Sequence, residues 1–217
     1  MNKAEIIFKT IDFVKETLAE VEDVHGWYHT ERVYKLSKKI AEAEKADMFV
    51  VELGALLHDI ADYKFNDGDE KAGSRKSGEF LSSLGVGKEI IEYVGEIVDN
   101  VSFKGGNFTQ SFKSLELDVV QDADRLDALG AIGIARAFAY GGYKKQEIHN
   151  PEIEPRLGMR KEEYKNNNSP SINHFYEKVL LLKDRMNTKT GKSLAESRHK
   201  FVEDYLEEFF KEWDGEA

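Results

Sequence analysis

No cysteine occurs anywhere in the 217 residues. That excludes a disulfide framework and every thiolate metal site, and it suits a reducing compartment. Proline is nearly missing too: the three present, Pro151, Pro155 and Pro170, all fall between 141 and 170. The rest of the chain therefore contains no residue that breaks a helix outright. No apolar run reaches the roughly 20 residues a bilayer span requires. The opening "MNKAEIIFKTIDFVKETLAEV" spreads acidic residues through its length and lacks a small-residue cleavage motif, so it reads as an amphipathic helix and not a targeting segment. A cytoplasmic protein is the expectation. An excess of positive charge is also lacking, with 31 Lys and Arg against 41 Asp and Glu and a net charge of −10. A nucleic-acid polymer or a membrane surface selects a basic face, so neither partner is expected. A small anionic substrate stays compatible, because a local cluster of cations can act against the global sign.

What is present is helical period, nearly from end to end. Ile6, Ile7, Ile11, Val14 and Leu18 share one helix face, and Val33, Leu36 and Ile40 share another. Asp47 is placed to cap a third helix that runs through Val51 and Ala55 into "ALLHDIAD". Helices over about 70–83 and from Ile90 to Val98 follow, then one or two within 114–140. No alternating strand pattern and no internal repeat is found. Residues 141–170 hold all the prolines and "NNN", and are expected to form a long, mobile excursion. Beyond it, Ile172, Phe175, Val179, Leu182 and Met186 fit one helix face, and Leu194, Val202, Tyr205, Phe209 and Trp213 a closing helix. The expectation is an all-α, single-domain helical bundle over 1–217, with its core at about 25–130 completed by helices at 170–213.

Within this pattern "ALLHDIAD" places His58 and Asp59 inside a segment built for burial. His29 is spaced i, i+4, i+7, i+11 with Val33, Leu36 and Ile40, hence on the apolar face of its helix. Asp124 follows Val119, Val120 and Ala123 in another apolar segment. A buried, unpaired carboxylate costs several kcal/mol, and two side by side repel. A divalent cation removes both problems, since neutral imidazoles and ionised carboxylates are what it binds. Two His and two Asp suit Mn²⁺, Fe²⁺, Ni²⁺, Co²⁺ or Zn²⁺, and Mg²⁺ is compatible, with Mn²⁺ favoured. One such ion would keep open positions for water and substrate, the mark of a catalytic site.

The order His29, then His58–Asp59, then Asp124 within "DADRLDALGAIG" resembles the HD-domain metal-dependent phosphohydrolase superfamily. "HGWYHTERV", "ELGALLHDIADYKF", "DNVSFKGG" and "HFYEKVLLLKDRMNTKTG" resemble a small bacterial subgroup of it along essentially the whole chain. The resemblance implies an all-α fold and hydrolysis of phosphate esters or anhydrides, and within these a nucleoside triphosphate pyrophosphohydrolase. Superfamily members with two metals carry further His between the HD pair and the last Asp. None lies between residues 59 and 124 here, which favours a single ion.

Asp62, four residues after His58, is the candidate general base; nucleotidase relatives often carry Glu there, one methylene longer, and a supporting or capping role for Asp62 is an equal alternative. A polyanion needs cations, and the candidates are Lys64, Lys104 in "SFKGG", Arg125, and Lys178 with Arg185 at i, i+7 as a short basic stripe. Arg156, Arg160 and Lys161 add charge if the excursion folds over substrate. His25 is read as near the site but not a ligand, His149 and His199 as loop and surface residues, and Asp127 as orienting Arg125 or capping the next segment. Two competing readings are a phosphatase acting on nucleoside monophosphates and a metal-bound, non-enzymatic nucleotide-binding regulator. A homodimer is compatible with the sequence.

Overall fold

The structure, a computed structural model, describes residues 1–19, 26–61, 69, 71–101, 112–158 and 169–216. Among these residues there are nine α-helices and no strand: α1 (Lys3–Thr17), α2 (Trp27–Glu44), α3 (Met48–Leu57), α4 (Ala72–Ser83), α5 (Lys88–Val101), α6 (Leu115–Asp127), α7 (Gly130–Tyr143), α8 (Ser171–Glu177) and α9 (Lys189–Trp213). Between α8 and α9 lie two single 3₁₀ turns, Val179–Leu181 and Lys183–Arg185. The described residues fall into two compact units, one made of those up to Asp124 and the other of those from Arg125 onward.

In the first unit α3 is the centre. Its start is set by Asp47, whose carboxylate accepts the N–H groups of Phe49 (2.9 Å) and Val50 (3.3 Å). Eight of its ten residues are buried, so α3 is apolar nearly all round, with α1, α2 and α5 packed on it. Contact with α5 is close at Gly54, where an added Cβ would lie 3.0 Å from Ile97 Cγ2. α1 is capped by Asn2 and buries Ile6, Ile7, Thr10 and Val14, while α2 buries Val33, Ile40 and Ala41 along the predicted face. Glu116 ties the start of α6 to the start of α3 by accepting the Asp47 N–H (2.9 Å), and it also accepts the Tyr93 hydroxyl of α5.

In the second unit α7 and α8 pack against α9 or against each other around Phe138, Phe175 and Tyr205, whose ring centroids lie 5.8–6.2 Å apart. The helix expected from Ile172 to Met186 is not continuous. α8 ends at Glu177, and Lys178 (φ −142°, ψ −56°) leaves helical geometry. Val179, Leu182 and Met186 are nonetheless buried, because 3₁₀ turns with three residues per turn keep Val179 and Leu182 on the same side. The excursion also departs from expectation in its first half. Ser171 N–H donates to the Glu147 carbonyl (2.9 Å), Asn173 Nδ2 to that of Ile153 (2.7 Å), and Arg156 N–H to the Glu177 carboxylate (3.1 Å). Residues 144–158 are thus fastened to α8; the remainder up to 168 lies outside the described residues.

Candidate metal centre

α3 is an apolar helix that has to end, and its last carbonyls have no partner within the helix. His58 supplies one: it occupies the cap position (φ −58°, ψ −34°) and its Nδ1–H donates to the Ala55 carbonyl at 2.8 Å. That bond fixes the ring and leaves Nε2 as the free lone pair, the usual support for a metal-binding histidine. Asp59 follows in the turn, on the same side. From α2, His29 in the first turn brings its own Nε2 to 3.2 Å from that of His58. Asp59 Oδ2 lies 3.6 Å from His29 Nε2 and 3.8 Å from His58 Nε2, and Asp124 Oδ1 of α6 lies 3.4 Å from His29 Nε2.

Four donors from three helices therefore converge. The ligand atoms of His29, His58 and Asp59 all lie within 4.8 Å of one another, and Asp124 joins them through His29. Two ring nitrogens at 3.2 Å with two carboxylates beside them are a donor set that a divalent cation can take up. Bonds of about 2.0–2.2 Å place neighbouring donors about 3.0–3.6 Å apart, so a divalent ion fits this set with small adjustments. The imidazoles are deepest, 2% and 6% exposed, whereas the Asp59 and Asp124 side chains are 14% and 31% exposed. Burial pushes the Asp124 carboxyl up, but the His29 hydrogen bond, with the attraction that the two imidazoles exert when protonated, pulls it further down, leaving it below its ordinary value. The neutral donors form the floor and the charged donors the rim, so the centre opens on its carboxylate side.

A family model described as the HD domain matches residues 26–129, a stretch that contains all four donors. Over 204 residues the chain is 38% identical to the uncharacterised protein YpgQ of Bacillus subtilis, covering 94% of this chain and 91% of that protein. This chain belongs to the HD-domain superfamily. Among solved structures, it is similar to an HD-superfamily hydrolase from Bacillus thuringiensis, with 44% identity, coverage of 98% and 99% of the two chains and a TM-score of 0.78. The B. subtilis YpgQ structure in complex with ADP matches this HD chain at 34% identity, with 98% and 97% coverage and a TM-score of 0.78.

The other candidate residues are placed less simply. Asp62, Lys64, Lys104, Arg160, Lys161 and His25 lie outside the described residues. Arg125 donates to the Arg185 carbonyl at 2.5 Å, which holds the end of α6 to the second 3₁₀ turn. Lys178 and Arg185 form no helical stripe, because the helix stops between them. Asp127, 1% exposed, pairs with Arg136 at 2.8 Å. His149 does lie in a loop, half-buried, with its ring edge-on within 6.0 Å of Phe209, Phe210 and Trp213, whereas His199 is not a surface residue but is buried on α9. Gln121 was not among the candidates, although a glutamine one turn before Asp124 in an apolar run was a readable signal. It is 4% exposed and donates to the Asn100 carbonyl at 2.8 Å.

Proposed function

We propose that this HD protein is a divalent-metal-dependent phosphohydrolase that converts a nucleoside triphosphate to the monophosphate and pyrophosphate. The observation that carries the reading is the convergence of His29, His58, Asp59 and Asp124 on one point, open on the carboxylate side. The ADP bound by YpgQ supports a nucleotide as the substrate class. His29 and His58 would hold the ion through Nε2, and Asp59 and Asp124 would complete and neutralise it. One such ion supplies Lewis acidity toward a phosphoryl oxygen and lowers the pKa of a bound water. Asp62 is the residue proposed to accept the proton of the attacking water. Lys64, Lys104, Arg125, Lys178 and Arg185 are proposed to balance the phosphate charge.

The test is an assay of purified protein with Mn²⁺ against nucleoside mono-, di- and triphosphates, resolving orthophosphate from pyrophosphate, with His58→Ala and Asp124→Ala alongside. Pyrophosphate from triphosphates, lost in both variants, is the expected result. Orthophosphate from monophosphates would move the assignment to a nucleotidase. No turnover with any divalent ion, despite stoichiometric binding of it, would leave a regulator.

A further inference from the structure

We propose that Glu177 is a latch: one carboxylate oxygen fastens both the end of residues 144–158 and Ser169 to α8, so that the two are released together. The inference does not rest on the metal centre, since every residue in it belongs to the second unit. Residues 144–158 are fastened along α8 from its first residue to its last. At the start, the Ser171 and Ile172 N–H groups donate to the carbonyls of Glu147 (2.9 Å) and Ile148 (3.0 Å). Next, Asn173 Nδ2 donates to the Ile153 carbonyl at 2.7 Å. At the far end the direction reverses, and Arg156 N–H donates to Glu177 Oε1 at 3.1 Å. The same oxygen accepts the Ser169 hydroxyl at 2.9 Å.

Glu177 and Ser169 are 8% and 7% exposed, so water does not readily take over either bond. A carboxylate withdrawn from water is costly unless donors meet its charge, and bonds to a charged acceptor are the stronger kind. Two donors on one oxygen also hold the side chain in a single arrangement, so each bond orients the acceptor for the other. The positions they join, 156 and 169, are thirteen residues apart in the chain. α8 itself has seven residues, too few to hold a helix alone, and it and residues 144–158 support each other. Losing the Glu177 carboxylate therefore frees the chain at Arg156 and at Ser169 in one step. The bonds at Glu147, Ile148 and Ile153 stay in place.

The experiment is limited trypsin digestion of the full chain, with cleavage after Arg156 timed by mass spectrometry. It compares the parent with Glu177→Leu, Glu177→Gln, Ser169→Ala and the Ser169→Ala/Glu177→Leu double variant, each checked for helix content by circular dichroism. Cleavage of a transiently opened site follows the population of its open form. Glu177→Leu is expected to speed cleavage after Arg156 about 10–100-fold, as loss of bonds to a charged acceptor implies. Glu177→Gln keeps an oxygen acceptor in the same place and is expected to change the rate less than about fivefold. Ser169→Ala is expected to speed cleavage at Arg156 about threefold, and to add less than about twofold in the Glu177→Leu background, because it acts through Glu177. Unchanged cleavage in Glu177→Leu overturns the latch, and so does an equal effect of Ser169→Ala in both backgrounds. If Glu177→Leu does not fold, Ser169→Ala decides: an unchanged rate at Arg156 overturns the proposal, and a faster one supports it.

Discussion

Loading the centre with metal is expected to stabilise the fold, by an amount that follows from where the donors come from. His29 lies on α2, His58 and Asp59 just past the end of α3, and Asp124 on α6, far apart in sequence, and only the folded chain brings their ligand atoms within a few ångströms. An ion that binds the native state alone contributes about 2.7 kcal/mol when its concentration is 100 times Kd, and about 1.4 kcal/mol more for each further tenfold. For a chain of this size about 1 kcal/mol corresponds to 2–4 °C, so EDTA-treated protein should gain about 5–11 °C in Tm at that loading. The assay is differential scanning calorimetry across a Mn²⁺ titration, repeated with Co²⁺, Ni²⁺, Zn²⁺ and Mg²⁺. His58→Ala removes a ring that both faces His29 and satisfies the Ala55 carbonyl, and a loss of about 100-fold in affinity would reduce the gain at that loading to about a sixth. The reasoning fails if no divalent ion raises Tm, or if the gain persists in His58→Ala and Asp59→Ala.

Other outcomes test the packing of the second unit. Gly133→Ala places a Cβ 2.2 Å from the Ala128 carbonyl oxygen, a backbone atom, and should cost about 3 kcal/mol by urea unfolding, whereas Gly142→Ala, with nothing within 4 Å, should be neutral or stabilising by up to about 1 kcal/mol. Asp127→Ala removes the buried carboxylate that pairs with Arg136, which keeps the Asp127 carbonyl at 3.3 Å, and should cost about 3 kcal/mol in the same measurement. Burial, with Lys178 adding to it, lowers the His174 pKa to about 3. The unfolded chain then binds the extra proton between about pH 6.5 and 3, so this group's contribution is complete above pH 6.5 and is lost on acidification. It should account for about 2 kcal/mol between pH 7 and 5, a slope absent in His174→Gln and readable from unfolding curves at the two pH values.

Much of the first unit was legible because its signals are local. Asp47 caps α3 as its residue type predicts, and the spacing of His29 with Val33 and Ile40 places it on a buried face. The four donors could be read because each contradicts its apolar surroundings, and a contradiction of that kind needs no distant information. What escaped depends on tertiary partners. The period of Ile172 to Met186 suits an α-helix and a chain of 3₁₀ turns alike, so it predicts burial but not continuity. His149 is the loop residue it looks like, but its packing against the aromatic end of α9 depends on residues about sixty positions away. Gln121 stands out in its apolar run, but its partner, the Asn100 carbonyl, belongs to the backbone of another helix and leaves no mark in side-chain pattern.

The gradient of exposure across the centre has a consequence for substrate. Its neutral imidazoles are buried and its carboxylates form the rim, so a phosphate must approach past Asp59 and Asp124. Near a protein surface two like charges about 4 Å apart cost about 4 kcal/mol, and two carboxylates against a polyphosphate multiply that figure. The whole chain adds to the repulsion with its net charge of −10. A bound dication cancels the rim charge, so under the proposed function nucleotide binding should be conditional on metal and not merely accelerated by it. A non-hydrolysable triphosphate analogue titrated into the chain should bind in the presence of Mn²⁺ and lose at least about a hundredfold in affinity in EDTA, the equivalent of about 2.7 kcal/mol. Equal affinity in both conditions would mean that the nucleotide is held away from this rim, and the four-donor centre would then have to act on something else.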